Sequence, residues 1–195
     1  MDVKKVFEFY NNRVKPLYCE IEARNNTLPA ELLFEIHAAF DHLKRYHIGE
    51  ETETIACDRA HSHLKRGLLD AFKLKLKYFN EDARQMMSCK ADLTLIDNGA
   101  FYPAFVADRH KIIEMAKEAR LKEANRDREH AFVCWVNTAL AIDEFTEKHF
   151  ARHDHLSWAQ LKTSRLLGKD SIRGIIIGII SSSIVWFFTS RYFCN

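Results

Sequence analysis

Apolar residues return every three or four positions along most of the chain, the spacing of a helix with one buried face. Val3, Val6, Phe7, Tyr10, Val14, Leu17, Tyr18 and Ile21 form the first such stripe and predict a helix over 2–25, with a kink expected at Pro16. Asn25-Asn26-Thr27 closes it, and Thr27 with Pro29 opens a second helix reaching about Tyr46. Its inner positions are Leu32, Leu33, Ile36, Phe40 and Leu43, and Gly49 stops it. A third helix is expected over 51–79, burying Ile55, Ala60, Leu64, Leu68, Leu69, Phe72, Leu76 and Phe79. Within it Lys73-Leu-Lys-Leu-Lys77 alternates like a strand, but the run is short and embedded in a helical period. A fourth helix over 81–96 is expected to end at Asp97-Asn98-Gly99.

From Pro103 the helical period resumes with Ile112, Ile113, Met115, Ala116 and Ala119. Residues 117–130 then carry nine charged side chains, which predicts a solvated or projecting stretch of helix. The apolar face returns with Phe132, Trp135, Val136, Ala139, Leu140, Ile142 and Phe145. A polar joint is expected over 149–155, followed by a short helix over 158–167 capped by Ser157. No stretch reads as a sheet.

The pattern changes at 174–190, which holds 17 residues without a charge between Arg173 and Arg191. As a helix it would be about 26 Å long, and the two arginine stems can cover the remainder of a hydrocarbon core of about 30 Å. Trp186, Phe187, Phe188, Tyr192 and Phe193 crowd one end, as interfacial aromatics do. The expected fold is therefore all-α: a cytoplasmic bundle of long helices followed by a single C-terminal transmembrane helix. The expected divisions are a helical domain at 1–156, a juxtamembrane helix and linker at 157–171, the span at 172–190 and an external tail at 191–195. Lys162, Arg165, Lys169 and Arg173 precede the span and only Arg191 follows it, which puts the N-terminal part in the cytoplasm and the span in the inner membrane.

Charge narrows the choice of partners. The chain has 29 Lys+Arg and 27 Asp+Glu, and the excess is the arginine pair at the span, so the soluble part is neutral. A basic surface must then be a local patch. Five scattered cysteines without a C-x-x-C pair suit a reducing compartment. No phosphate loop, zinc spacing or nucleophile elbow occurs, so neither enzymatic activity nor a metal or other cofactor is expected.

Two constellations remain. Arg59, Arg66, Lys73 and Lys77 recur at offsets that hold them near one face of the third helix. His63 lies among them, and Lys44 and Arg45 on the second helix border them, a stripe long enough to follow several phosphates of a single strand. Tyr46 and Tyr78 are candidate stacking surfaces. His-Leu-Lys-Arg occurs twice, at 42–45 and 63–66. In the span, Gly174, Gly178 and Ser182 form a small-xxx-small row, with Ser181, Val185 and Thr189 on or beside that face. Serines there can line a pore only if several copies meet.

With its helical body, the stripe Arg59/Arg66/Lys73/Lys77 and the serine-bearing span, the chain resembles the HalA-type membrane effectors of the Hailong anti-phage defence system. That resemblance implies a homo-oligomeric ion channel, a tetramer, acting in abortive infection. It also implies that short single-stranded DNA or a nucleotide ligand, made by a partner nucleotidyltransferase, binds the cytoplasmic domain and holds the channel shut. The alternative is an adaptor whose bundle docks a protein partner and whose span is only a tether.

Overall fold

The computed structural model describes residues 1–27, 29–89, 91–166, 168 and 177. Every regular element among them is helical. The first stripe gives α1 (Val3–Phe9), a π-helical segment (Tyr10–Val14) and α2 (Lys15–Asn25). Asp2 caps α1, its carboxylate accepting from the Lys5 N–H at 2.8 Å. The irregularity expected at Pro16 lies one turn earlier. Pro16 cannot donate to the carbonyl four residues back, and the helix widens over Tyr10–Val14, with the Lys15 N–H bonding to the Tyr10 carbonyl.

Helix α3 (Ala30–His47) follows, then α4 (Glu53–Met87), α5 (Phe101–Ala124), α6 (Arg128–Phe145) and α7 (153–166). Pro29, rather than Thr27, stands at the N-cap of α3. Gly49 ends it as expected: with φ of +80°, it donates to the Tyr46 carbonyl while Glu50 donates to Arg45. The expected third and fourth helices are largely one, because the apolar period of α4 runs unbroken through Phe79 to Ala83. A short 3-10 segment, Leu93–Gly99, replaces the remainder, with Asp97, Asn98 and Gly99 all at positive φ. The charged run is largely exposed helix, the end of α5 and the start of α6, but it is not one continuous helix: a turn at 125–127 divides it. There Arg126 adopts φ of +62°, its N–H bonds to the Glu123 carbonyl and the Asp127 N–H bonds to Lys122, a Schellman closure without glycine. Ser157 falls inside α7 and does not cap it.

The described residues form two compact units. The first combines Met1–Met87 with Asp108–Thr146, and the second combines Ser88–Ala107 with the described residues from Glu147 onward. At the centre of the first, α4 buries Ala56, Cys57, Ala60, Leu64, Leu68, Ala71, Phe72, Leu76, Phe79 and Ala83. Against it α3 packs Leu32, Ile36, Ala39 and Leu43. The two approach closely at Gly67, where an added Cβ would lie 2.8 Å from Leu32 Cδ1 and 3.0 Å from Glu35 Cβ. Trp135 of α6 is fully enclosed. Four positions expected on the apolar faces are exposed: Phe7 (41%), Ile55 (48%), Leu140 (52%) and Phe40 (37%), whose ring packs on Phe7 and Tyr10. In the second unit His149 packs edge to face against both Phe101 and Phe105, and Arg152 holds Asp97 through two bonds of 2.5 and 2.8 Å. This pairing keeps the Asp97 carboxyl below its ordinary range, Arg152 being the dominant cause.

His61 on α4 sets a pH response for the first unit. Its ring stands edge-on to Phe9 at 4.6 Å, and burial, reinforced by Lys65 one turn on, lowers its pKa from 6.5. A lowered pKa means that the unfolded chain binds the proton more readily. Stability is therefore expected to fall as pH drops below about 6.5, levelling off once the folded form also protonates. Urea midpoints at about pH 7.5 and about pH 5 should converge in His61→Gln relative to the unsubstituted protein.

Among the described residues no helix is long and apolar enough to cross a membrane. The expected span at 172–190, with Gly174, Gly178, Ser181, Ser182, Val185 and Thr189, lies outside the described residues apart from Ile177.

Candidate nucleic-acid interface

The basic stripe divides into a paired half and an open half. At the paired end the two His-Leu-Lys-Arg repeats meet, because α3 and α4 run antiparallel and each repeat buries its leucine, Leu43 or Leu64, between them. This brings the His42 and His63 rings within 5.3 Å, tilted by 32°. His63 Nδ1 lies 2.6 Å from Glu35 Oε2, and the Arg66 guanidinium lies 2.7 Å from the same ring nitrogen and 3.5 Å from Glu35. His42 Nδ1 lies 3.5 Å from Glu51, which Arg59 also contacts at 2.8 Å and Arg45 at 3.8 Å. Arg45 donates to Asp41 at 2.9 Å, and Lys44 stands 3.8 Å from the same carboxylate.

These acids change the electrostatics that the stripe suggests. Glu35 and Glu51 are mostly buried between the helices, with 24% and 11% of their side chains exposed. Each is thereby less screened by water than a surface acid and offsets more of the charge of the adjacent guanidinium. Arg45, Arg59 and Arg66, together with Lys44, therefore present little net positive charge outward.

The open end differs. Lys73 is shared by Asp70 at 3.3 Å and Glu123 at 3.0 Å. Lys77, one turn on, is exposed and has no ion pair among the described residues. It lines a groove of about 510 Å³ with Lys73, Leu74, Leu32 and Arg120. Arg120, from α5, also has no ion pair among the described residues, and its guanidinium sits 5.8 Å above the Trp135 ring. Lys77 and Arg120 thus stand without ion pairs at one concave surface, which Glu31 and Asp70 also line. The sequence pattern missed Arg120, which lies in another helix some forty residues along the chain, within the run read as solvated charge.

The stacking surfaces do not both survive. Tyr78 is buried and covered by Arg24, whose guanidinium carbon lies 4.7 Å from the ring centroid. Its neighbour Lys77 points out because the helical turn of 100° per residue places Tyr78 on the inner side. Tyr46 keeps part of its surface, with its ring 5.2 Å from that of His47. Among the described residues no group of His, Cys, Asp and Glu side chains is arranged to hold a metal ion.

Comparison with family models, curated proteins and solved structures finds no match to this chain.

Proposed function

We propose that the protein is a homo-oligomeric, single-pass membrane effector. Its helical part binds a nucleic-acid or nucleotide ligand, and that ligand controls a channel formed by the converged spans, in the manner of an anti-phage abortive-infection effector. The observation that carries the ligand half of this reading is the groove where Lys77 and Arg120, neither in an ion pair among the described residues, stand beside Lys73, with Glu31 and Asp70 at its edge. The membrane half is supported by the charge-free run at 174–190 and its small-residue row. A ligand that binds the closed arrangement more tightly would hold it closed, and its loss would release the channel.

The test is an anisotropy titration of a short labelled oligothymidylate against the full chain at several salt concentrations. Three phosphate contacts on a single strand predict that log K falls with log salt at a slope of about −2. Lys77→Glu with Arg120→Glu is expected to abolish binding at low salt, whereas Arg59→Ala should change it little. Equal affinity in the charge-reversed protein would remove the groove from the interface.

A further inference from the structure

A second, larger cavity lies on the opposite side of α4, and the basic stripe has no part in it. Its volume is about 540 Å³, within the range of sites that enclose small molecules. Leu17 forms one wall, Leu68 and Phe72 the floor, and Phe132, Val136 and Leu140 the other wall. The Phe72 and Phe132 rings stand 6.4 Å apart. Leu140 is 52% exposed at the rim, an apolar side chain left without cover. The π-helical segment supplies the far wall, where the widened turn before Pro16 carries Asn12 and Arg13.

The polar end is built around Lys75. It is the middle lysine of Lys73-Leu-Lys-Leu-Lys77, and the helical turn directs it to the face opposite the stripe. Only 7% of its side chain is exposed. Its Nζ donates to Glu20 Oε2 at 2.8 Å and lies 2.5 Å from Asp143 Oδ1, so one ammonium is held between two carboxylates on different helices. The trio carries a net charge of −1. Both acids remain about half exposed, and the second oxygen of each has no partner among the described residues. Arg13 lines the same cavity but makes no ion pair with Glu20 or Asp143, so the charge in direct contact at the Lys75 end remains −1.

We propose that this cavity binds a small amphiphilic amine. Its apolar body would lie over Leu68, Phe72 and Phe132, and its ammonium would bond the outward oxygens of Glu20 and Asp143. An anionic head group would meet two carboxylates at short range, and a purely apolar ligand would leave their outward oxygens desolvated without a partner. A protonated amine answers both demands, completing an alternating row of ammonium, carboxylate and ammonium groups. The site is independent of the oligonucleotide groove.

Calorimetric titration of the full chain with 4-phenylbutylammonium tests this, with 4-phenylbutanol and 4-phenylbutanoate as parallel arms. Saturable one-to-one binding of the amine is expected, with the alcohol clearly weaker and the acid not binding. Glu20→Gln with Asp143→Asn should weaken the amine by about tenfold or more, the loss that follows from removing charge-assisted hydrogen bonds. Leu140→Trp keeps both carboxylates and changes only an exposed position, and it should weaken the amine by filling the apolar part. Oligothymidylate binding should be unchanged in both variants. Equal binding of acid and amine, no saturable heat with the amine, or full affinity in Leu140→Trp would overturn the proposal. So would saturable binding of a lysine-bearing amphipathic peptide without amine binding, which would make the groove a protein-docking surface.

Discussion

Trp135→Ala is expected to destabilise the first unit by about 3–5 kcal/mol, a large part of the roughly 5–15 kcal/mol that keeps a domain of this size folded. Trp135 has no exposed surface, so truncation deletes a complete indole and leaves a cavity that rigid helical neighbours fill only in part. Urea denaturation followed by circular dichroism measures the loss. Trp135→Phe should cost distinctly less, for two reasons. Phenylalanine retains much of the packed volume, and it removes an indole Nε1 that is buried without a hydrogen-bond partner among the described residues, a group that weakens the native state. Equal losses from alanine and phenylalanine would contradict the volume argument. The same residue reaches the candidate interface, because Arg120 rests over its ring. Trp135→Ala in a still-folded sample should therefore loosen Arg120 and weaken oligothymidylate binding, while the cavity beside Lys75 keeps its carboxylates.

The helical architecture was legible in the sequence because amphipathic periodicity is a local signal. Ile36, Leu43, Leu64, Leu68, Leu76 and Ile142 all fall on the faces that their spacing predicts. Helix ends were legible where the closing residue is chemically specialised. Gly49 ends α3 because a left-handed residue without a Cβ is easily recognised, whereas Arg126 performs the same closure between α5 and α6 with a side chain that gives no such sign. The join of two expected helices into α4 was hidden for a related reason: Asn80-Glu-Asp82 reads as a break, yet Asn80 bonds back to the Leu76 carbonyl at 3.1 Å and the turn continues.

The site was less legible than the fold. Spacing placed Arg59, Arg66, Lys73 and Lys77 on one face, but the acids that neutralise most of them come from elsewhere in sequence. Glu35 reaches His63 and Arg66 from α3, and Glu123 reaches Lys73 from the end of α5. Charge compensation between helices is a tertiary property, and a stripe read on one helix is blind to it. Lys75 shows the converse. In sequence it is one more lysine of a basic run, and only its partners Glu20 and Asp143 mark it as the buried centre of a separate cavity.

The largest functional effect is expected from exchanging 174–190 for a plain span of leucine and alanine of equal length, with Arg173 and Arg191 kept. Length and flanking charge decide insertion and orientation, so the exchanged protein should still sediment with membranes, and its helical part should still bind oligothymidylate. Current across planar bilayers should vanish. In the proposed channel Gly174, Gly178 and Ser182 let neighbouring spans approach closely, and Ser181, Ser182 and Thr189 supply the hydroxyls that water in a pore requires. Leucine and alanine can satisfy the lipid but cannot hydrate a pore. Interhelical hydrogen bonds in membranes are worth only about 0.6 kcal/mol on average, so loss of association and loss of the polar lining have to be separated. Gly178→Leu alone, which keeps every hydroxyl, should reduce cross-linked oligomer and current together. Ser181→Ala with Ser182→Ala and Thr189→Val, which keeps small side chains along the glycine row, should reduce current while oligomer persists. An adaptor tethered by a passive span would behave oppositely, tolerating every one of these changes. Undiminished growth arrest in the leucine–alanine protein, with no current from either protein, would therefore decide for the tether and against the pore.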